Sequence, residues 1–462
     1  MTTAVVVGGG ISGLVAAKLL KKKFDHVIMA EAAPECGGLL RSVQDEAGHS
    51  YDQGTHIPDL TGIDEIDELV FGNAENQQKN WAHLQELRSG NYFNGRWNLE
   101  TQSVSITDLD KAVRERIEQD IIDNTSTTPS ANLHNYLSNR FDDFTVNKIF
   151  LPIFKKLYGD SILLEQMAAD VGGGKFFLFG LERLVAFDQE IAAELKKDRI
   201  FDSKLSFHTH QEFREYMARV APSSPGYLYP KGNNGIGVKI SQILNALQQD
   251  GVEIHTSTSV AKINAEGDQI KSVVLSTHED EINCDYLFWT VPPILALKAA
   301  GQEIVQRKVS TRCSNIFHYC LDQPLLNDQS QFLWSWDKDN PIFRITLYDN
   351  FRTQAPAGEH LITTECLSNA DDANEITSNI VFEHLKKMNI VAEHSNIISR
   401  TEQRLKTAFP VPDLEFKAAS EETYKTLEAL YSNIGISGRF SGRVWLQSDV
   451  LRDTFNQISD LN

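Results

Sequence analysis

The sequence predicts an α/β protein that begins with a strand–turn–helix–strand unit. Three observations support this fold class: an apolar, β-branched run at residues 4–7, a glycine-rich turn at residues 8–13, and apolar residues at helical spacing over residues 11–23. A second apolar run at residues 26–30 has the character of a buried parallel strand. The first thirty residues are therefore expected to start a parallel sheet that helices cover.

The glycines of the first turn have the spacing G-x-G-x-x-G. In a dinucleotide-binding unit the first glycine allows a tight turn, the second lets a pyrophosphate approach, and the third lets helix and strand pack closely. An acidic residue ends the second strand, at about the position where a carboxylate binds a ribose. The pattern predicts a Rossmann-like nucleotide site. Its expected residues are Gly8, Gly10, Ile11, Ser12, Gly13 and Glu31.

Size and composition fit a folded protein of more than one domain. The chain has 462 residues, of which 41% are hydrophobic and 23% charged, and it is too long for a single hydrophobic core. The formal net charge of -19 opposes binding to the phosphates of nucleic acid. We therefore expect a small-molecule substrate and no nucleic-acid partner, while the oligomeric state stays open.

Cysteine usage and hydropathy predict a cytoplasmic protein. The cysteines are scattered and form no C-x-x-C motif, which argues against a disulfide framework and against a structural zinc site. No run reaches the roughly 18 apolar residues of a membrane-spanning helix, and the N-terminus lacks the features of a signal peptide. The sequence therefore predicts no transmembrane segment and no metal.

A second glycine pair favours a flavin over a nicotinamide. The segment PECGGLLRS at residues 34–42 follows the acidic residue, and YDQGTH follows at residues 51–56. Here the chain resembles the flavoprotein superfamily of amine oxidases, protoporphyrinogen oxidases, phytoene desaturases and UDP-galactopyranose mutases, in which such a glycine pair passes close to FAD. The resemblance implies that FAD is bound and that these residues lie near it: Gly37, Gly38, Leu39, Gly54, Thr55 and His56.

Three later segments extend the resemblance along the chain. Residues 226–232 are similar to the family's Tyr-Pro-x-Gly-Gly segment, although Asn233 replaces the second glycine. Residues 284–293 resemble the return to the substrate domain, and residues 433–439 resemble the last flavin-contacting segment, where Gly-Arg precedes a helix that faces the isoalloxazine ring. The further FAD contacts that the resemblance implies are Val260, Gly438, Arg439, Ser448, Asp449 and Val450.

These matches imply an α/β architecture with a Rossmann-like FAD-binding domain of the glutathione-reductase type and an inserted α+β substrate domain. The FAD-binding domain is expected to be discontinuous, with residues 1–65, 226–300 and 405–462. The substrate domain is then built from residues 66–225 and 301–404.

The two insertions differ in pattern. The first is mainly helical, and Pro152 should kink or divide one of its helices. The second contains strand-like runs. The apolar segment 176–179 is interpreted as core because it is short and not flanked by basic residues. The expected helices are residues 146–158 and 187–197, and the expected strands are residues 343–347 and 360–366.

The activity within the superfamily is defined by fewer residues. Amine oxidases generally carry Gly-Gly-Arg where this chain has Gly-Gly-Leu at residues 37–39, so amine oxidation is disfavoured. That form, together with His56 and Arg344, is closer to the protoporphyrinogen-oxidase-like and galactopyranose-mutase-like branch, several members of which handle nucleotide sugars. We expect an FAD-dependent oxidoreductase acting on a polar small molecule such as a sugar or nucleotide sugar. The alternatives are a mutase-like isomerase and a flavin-binding protein without catalysis.

His56 and Arg344 are the candidate catalytic residues. Near the flavin, His56 could shuttle a proton or donate a hydrogen bond, because imidazole titrates near neutrality; otherwise it braces its loop. Arg344 alternates with Thr346 and Tyr348 along an expected strand and could hold an anion in the pocket. Its alternative is an ion pair at the edge of the core.

Overall fold

The computed structural model describes residues 1–126, 128–169, 181–220, 226–277, 280–304, 309–353 and 358–461. The strands in these residues are β1 Thr3–Val7, β2 His26–Ala30, β3 Ser42–Gln44, β4 Ser50–Asp52, β5 Trp81–Leu84, β6 Ser89–Phe93, β7 Arg96–Asn98, β8 Tyr227–Pro230, β9 Glu253–His255, β10 Val260–Glu266, β11 Gln269–Leu275, β12 Glu281–Asn283, β13 Tyr286–Trp289, β14 Thr311–Leu321, β15 Phe332–Ser335, β16 Ile342–Leu347, β17 His360–Ser368, β18 Ile397–Pro410 and β19 Ile434–Ile436. The α-helices are α1 Ile11–Leu20, α2 Asp64–Phe71, α3 Ala74–Asn80, α4 Lys111–Asp123, α5 Leu133–Thr145, α6 Leu151–Tyr158, α7 Gln189–Leu195, α8 Arg199–Asp202, α9 His210–Val220, α10 Val238–Gln249, α11 Pro293–Ala299, α12 Ser378–Lys387, α13 Leu414–Leu430 and α14 Gln447–Ser459.

A five-stranded parallel sheet forms the nucleotide-binding half of the fold, with the strand order β19-β13-β1-β2-β9. The central strands β1 and β13 are apolar and almost entirely buried, because helices α1, α10 and α14 cover one face and α11 and α13 the other. The chain leaves the central strand β1 toward β2 on one side and returns to β13 on the other. The carboxyl ends of these strands therefore meet at a topological switch point, where ligands bind in such sheets.

An antiparallel three-stranded sheet, β10-β11-β12, connects β9 to β13. It packs its apolar face on the core that the parallel sheet shares with α11 and α13. The parallel sheet confirms the Rossmann-like fold expected from the sequence for the FAD-binding half, whereas the antiparallel connection was not predicted.

A seven-stranded mixed sheet forms the other half, with the order β18-β14-β17-β16-β15-β6-β7. Neighbouring strands are antiparallel except for β6 and β15, which run parallel. Helices α4, α5 and α6 pack on one face in the largest apolar cluster. Helix α12 covers the other face. The sheet combines strands from both insertions, so the two segments fold together.

The element predictions for the insertions are confirmed where the residues are described. The strands expected at residues 343–347 and 360–366 are β16 and β17. The helical stretch 146–158 is divided as expected, because a π-helical turn, Val146–Phe150, precedes α6 and Pro152 lies in the first turn of α6. The predicted core segment 176–179 lies outside the described residues.

Two of the predicted domain boundaries do not coincide with the packing. Strand β18 runs continuously through residue 405, so a boundary there would cut the strand. After residue 65, α2 continues and packs with Trp81 in the core beneath the parallel sheet. Both boundaries need correction toward the ends of these elements, and the two-domain division itself stays a prediction.

Among the described residues, no helix combines the length and the apolar character needed to cross a membrane.

Candidate functional site

The glycine turn after β1 leaves room for another molecule. Gly8 has φ +101° and donates its N–H to the Ala30 carbonyl oxygen over 2.8 Å. A Cβ at Gly13 would overlap the carbonyl oxygen of Gly8, so close packing of helix and turn requires glycine there. A Cβ at Gly10 would meet no atom within 4 Å. Packing inside the protein therefore does not require Gly10, whereas the approach of a pyrophosphate would.

The N-terminus of α1 adds free donors to this turn. No side chain caps the helix, and its first intrahelical bond is the one from the Leu14 N–H to the Gly10 carbonyl oxygen. The backbone N–H groups of Ile11, Ser12 and Gly13 have no hydrogen-bond partner in the described part of the chain. Three free N–H groups at the positive end of a helix form an anion-binding site.

Glu31 follows β2 at the carboxyl edge of the parallel sheet. Its carboxylate accepts N–H bonds from Gly9 at 2.5 Å and Ala33 at 2.7 Å, and its backbone carbonyl accepts from Thr258. Val260 begins β10 two residues later, so the structure brings Val260 and Glu31 to the same edge. The carboxylate braces the turn in this arrangement, and a ribose contact at Glu31 stays a prediction.

The second glycine pair lies directly against the first turn. The Gly37 N–H donates to the Gly9 carbonyl oxygen over 2.7 Å, and both Gly37 and Gly38 have positive φ. A Cβ at Gly38 would stand 3.4 Å from the Gly10 Cα. Leu39 lies in the short 3-10 turn that follows, Gly38–Leu40. The two glycine segments, which are separate in the sequence, therefore form one surface.

The C-terminal segment reaches the same edge after β19. Gly438 has φ +91°, and a Cβ there would lie 2.9 Å from the Thr290 carbonyl oxygen. Arg439 opens a short 3-10 turn, Arg439–Ser441, so the turn and not the helix follows the Gly-Arg pair directly. Helix α14 begins only at Gln447. It nevertheless returns to α1, where the Ser12 and Thr454 hydroxyl groups lie 2.9 Å apart.

The first turn of α14 offers some of the predicted contacts and not others. No side chain caps this helix, and the N–H groups of Gln447, Ser448 and Asp449 have no partner in the described residues. The Val450 N–H already donates to the Leu446 carbonyl oxygen over 2.9 Å, so Val450 has no backbone donor left for a cofactor. The Asp449 carboxylate is taken by Arg452 at 3.0 Å. The free backbone N–H groups are therefore those of residues 447–449, one residue earlier than the contacts predicted at residues 448–450.

This edge of the sheet fits FAD. Two uncapped helix N-termini supply free N–H groups, the glycines of two turns leave the backbone bare, and the open space at Gly10 fits a pyrophosphate. The side-chain amide nitrogen of Gln447 is buried without a hydrogen-bond partner, as is the amide oxygen of Gln53. Buried polar atoms of this kind call for a ligand that completes their bonds.

Next to this edge, the loop after β4 is hydrogen-bonded to an ion pair of the mixed sheet. The Arg344 guanidinium binds the Glu365 carboxylate through two bonds of 2.6 and 2.7 Å. Glu365 also accepts the Thr55 N–H at 3.1 Å, and the Thr55 and Thr346 hydroxyl oxygens lie 2.6 Å apart. A Cβ at Gly54 would collide with the Glu365 carboxylate. Arg344 therefore forms an ion pair with Glu365, which is the second of the two roles expected for it from the sequence.

His56 lies at the end of this loop as a neutral imidazole. Burial, and then the guanidinium groups of Arg344 and Arg439 and the amine of Lys239, lower the pKa of His56 to about 3. Its Nε2 lies 3.2 Å from the Gln53 carbonyl oxygen, which can only accept, so the proton is on Nε2 and Nδ1 is an acceptor. A neutral imidazole suits hydrogen bonding better than proton shuttling.

Arg439 is a second arginine beside His56. Its guanidinium lies over the Trp445 ring, 3.8 Å from the centroid. Burial, and the like charge of Arg344, lower the pKa of Arg439 to about 10. In the described part of the chain no carboxylate pairs with it. A half-buried guanidinium in this position favours an anionic ligand.

Lys239 is a site residue that the sequence did not single out. It lies in the first turn of α10, is fully buried, and donates to the Gln447 side-chain oxygen over 3.1 Å. Burial lowers its pKa to about 7, although Asp52 and Asp59 act in the opposite direction. The residues next to Lys239 in the sequence do not indicate a site, because the groups near its amine belong to α14 and to the segment around His56.

Comparison with known proteins identifies the class of fold. A family model described as an NAD(P)-binding Rossmann-like domain matches residues 6–65. A second model, flavin containing amine oxidoreductase, matches residues 176–410, just over half of the chain. The protein is thus a flavoprotein with a dinucleotide-binding domain.

The chain belongs to the flavin containing amine oxidoreductase family. Its cofactor is FAD. It is 26% identical over 328 residues to the 1-hydroxycarotenoid 3,4-desaturase of Flavobacterium sp. (strain P99-3), covering 67% of this chain. The match spans 62% of that relative's length.

Solved structures share the fold over the whole chain. Reduced UDP-galactopyranose mutase is 18% identical, with a TM-score of 0.72 and coverage of 99% of this chain and 92% of the mutase. An oxidoreductase from Methanosarcina mazei is 14% identical, with a TM-score of 0.59 and full coverage of both chains. At these identities the likeness shows the fold alone.

Proposed function

We propose that the protein is an FAD-dependent oxidoreductase that acts on a polar small molecule carrying an anionic group. Sugars and nucleotide sugars are the first classes to test. The observation that carries this proposal is Arg439, a half-buried guanidinium on Trp445 beside His56 and Arg344, which has no carboxylate partner among the described residues. Such a group holds a phosphate or a carboxylate.

The residues around this position have separable roles in the proposal. FAD supplies hydride transfer when it is bound. Arg439 binds the anionic group of the substrate. His56, neutral, accepts a hydrogen bond at Nδ1 from a substrate hydroxyl and so orients it. Arg344 stays on Glu365 and keeps the loop of Thr55 and His56 in place.

The aromatic rings near Arg344 suggest a competing substrate class. Arg344 lies 5.4 Å from the centroids of both Trp334 and Phe343, and Phe343 packs against Phe409. The curated relative acts, by its name, on a carotenoid. An apolar substrate would not need the charge of Arg439, so the two substrate classes differ in their response to the loss of that charge.

Equilibrium binding to the oxidised protein tests the proposal. The flavin spectrum is followed during titration with a UDP-sugar, the free sugar, and a carotenoid in detergent. The UDP-sugar should bind most tightly, and Arg439→Gln should weaken it about tenfold or more, as expected for a charge-assisted bond. Arg443→Gln is the matched control, since Arg443 already pairs with Asp453 at 2.7 Å.

FAD retention in the same variants shows whether Arg439 binds the anionic group of the substrate or that of the cofactor. If Arg439→Gln loses FAD but binds the UDP-sugar normally when reloaded, Arg439 serves the cofactor and the substrate proposal fails. Binding of the carotenoid alone would also overturn the proposal.

A further inference from the structure

Outside the flavin region, three metal-binding side chains from distant parts of the sequence meet. His49 lies in the turn between β3 and β4, Cys320 near the end of β14, and Glu359 just before β17. Their donor atoms, Nε2, Sγ and a carboxylate oxygen, all lie within 4.8 Å of one another. The ring and the thiol are buried, while 29% of the Glu359 side chain is exposed. The cluster is therefore protected but reachable from solvent.

Two of the three distances within this cluster are close to those of a tetrahedral metal site, and the third lies within 4.8 Å. The His49 Nε2 is 2.9 Å from the Glu359 Oε2 and 4.0 Å from the Cys320 Sγ. Ligands bonded at 2.0–2.3 Å around a tetrahedral ion stand roughly 3.3 to 3.8 Å apart. The first pair has to open by a few tenths of an ångström, which rotation of the partly exposed Glu359 can accommodate, and the second has to close by a similar amount.

Asp45 holds the histidine ring in the orientation that a metal requires. Its carboxylate lies 2.9 Å from the His49 Nδ1 and also accepts the His49 backbone N–H at 2.9 Å. The hydroxyl groups of Tyr51 and Ser399 donate to the same carboxylate, at 3.2 and 2.5 Å. A carboxylate that fixes Nδ1–H leaves Nε2 to face the metal, as in carboxylate–histidine–zinc arrangements.

We propose that His49, Cys320 and Glu359 bind a divalent, thiophilic metal ion such as Zn²⁺, with a solvent molecule as fourth ligand. A thiolate and an imidazole select such an ion over Mg²⁺ or Ca²⁺. Binding displaces to solvent the thiol proton of Cys320 and any proton on Nε2. The ion links the β3–β4 hairpin to the mixed sheet, because Cys320 lies opposite Leu361 in the β14–β17 ladder.

The alternative is a metal-free ion pair, in which His49 simply bridges Asp45 and Glu359. It leaves Cys320 without a role, since nothing in an Asp–His–Glu ion pair depends on a thiol. The contribution of Cys320 therefore distinguishes a metal site from an ion pair.

Cobalt titration tests the proposal. The flavin-loaded protein is dialysed against a chelator and titrated with Co²⁺, whose tetrahedral thiolate complexes absorb at wavelengths longer than the flavin does. One equivalent should bind, Zn²⁺ should displace it, and the thermal midpoint should rise. Glu359→Gln, at a partly exposed position, should keep the fold and weaken Co²⁺ binding by on the order of tenfold.

Two cysteine variants complete the test. Cys320→Ser should lose the long-wavelength band, whereas Cys313→Ser, also buried on β14, should keep it. The proposal is wrong if the wild-type protein shows no band, or if Cys320→Ser and Glu359→Gln both bind Co²⁺ as tightly as the wild type. If Cys320→Ser does not fold, Glu359→Gln decides between the two outcomes.

Discussion

Gly10 is the residue whose replacement tests the cofactor site most cleanly. A side chain at Gly10 meets open space, and its φ of -72° suits any residue. We expect Gly10→Val to fold with little change in stability and to lose FAD, because the new side chain occupies the space for the pyrophosphate. Flavin absorbance per protein, measured after purification and after incubation with FAD, checks this.

Gly13→Val is the contrasting variant. Its Cβ would overlap the Gly8 carbonyl oxygen, so it should disturb the packing of α1 and lower the thermal midpoint as well as FAD binding. If Gly10→Val retains FAD at the wild-type level, the placement of the pyrophosphate at this turn is incorrect.

His56 should stay neutral through the whole working range of pH. Its folded pKa of about 3 lies below the usual value of 6.5, so protonation would begin only near pH 3. In histidine-selective NMR spectra, the signal that disappears in His56→Gln should keep the shifts of neutral imidazole from pH 8 down to pH 5. A titration of that signal near pH 6.5 would contradict the burial and the cationic surroundings described for this ring.

Lys239 should make stability depend on pH. In the folded protein its pKa is about 7, whereas an unfolded lysine keeps its proton up to about 10.5. Between these values the unfolded chain binds more protons, so the stability of the folded state rises with pH. The groups near the amine are His56, Asp52, Asp59 and Gln447.

The measurement compares the free energy of unfolding of wild type and Lys239→Met at pH 7 and pH 9.5. The wild type should gain stability relative to the variant as the pH rises. An equal dependence in both proteins would show that the amine keeps its proton when the protein folds.

Among the elements, the Arg344–Glu365 pair links the neighbouring strands β16 and β17, and Glu365 also holds the loop after β4 through the Thr55 N–H. Only 3% of the Glu365 side chain is exposed, so its removal leaves a buried guanidinium without a counterion. Glu365→Gln should lower the free energy of unfolding by about 3 kcal/mol. Glu402→Gln, which removes an exposed and distant partner of Arg404 on β18, should cost less than about 1 kcal/mol. Urea unfolding of both variants checks this, and similar costs would contradict the buried-pair account.

The elements that the sequence predicted well are those with local signals. Strand β2 has the predicted bounds, and β1, α1, β16 and β17 differ from the prediction by a few residues at their ends, because apolar periodicity and glycine turns are properties of short segments. Helix α1 ends at Leu20, since the chain turns at Lys21–Lys23 instead of extending the helix.

The parts that the sequence missed depend on distant partners. In the sequence, Glu365 looks like any other residue of a strand. Its role is visible only in the fold, where Arg344 and Thr55 donate hydrogen bonds to its carboxylate. The pairing of β6 with β15 joins segments more than 200 residues apart in the chain. The His49–Cys320–Glu359 cluster likewise has no fixed spacing, so reasoning from C-x-x-C motifs could not find it.

At the scale of the whole molecule, two sheets meet around the predicted cofactor edge. The parallel sheet supplies Gly10, Gly37 and the N-termini of α1 and α14, and the mixed sheet supplies Arg344 and Glu365. The loop that carries His56 leads from the β3–β4 hairpin to this junction. A cofactor along the first sheet would therefore present its reactive end to side chains of the second.

In the proposed reaction, the flavin of this protein takes electrons from a polar substrate. The most direct measurement is anaerobic mixing of the oxidised protein with candidate sugars and nucleotide sugars in a stopped-flow spectrometer. We expect loss of the oxidised flavin absorbance in a single turnover, with one molecule of oxidised product for each flavin reduced. Product that forms solely with protein already reduced by dithionite, without consumption of an electron acceptor, would contradict it and would establish an isomerase of the mutase type.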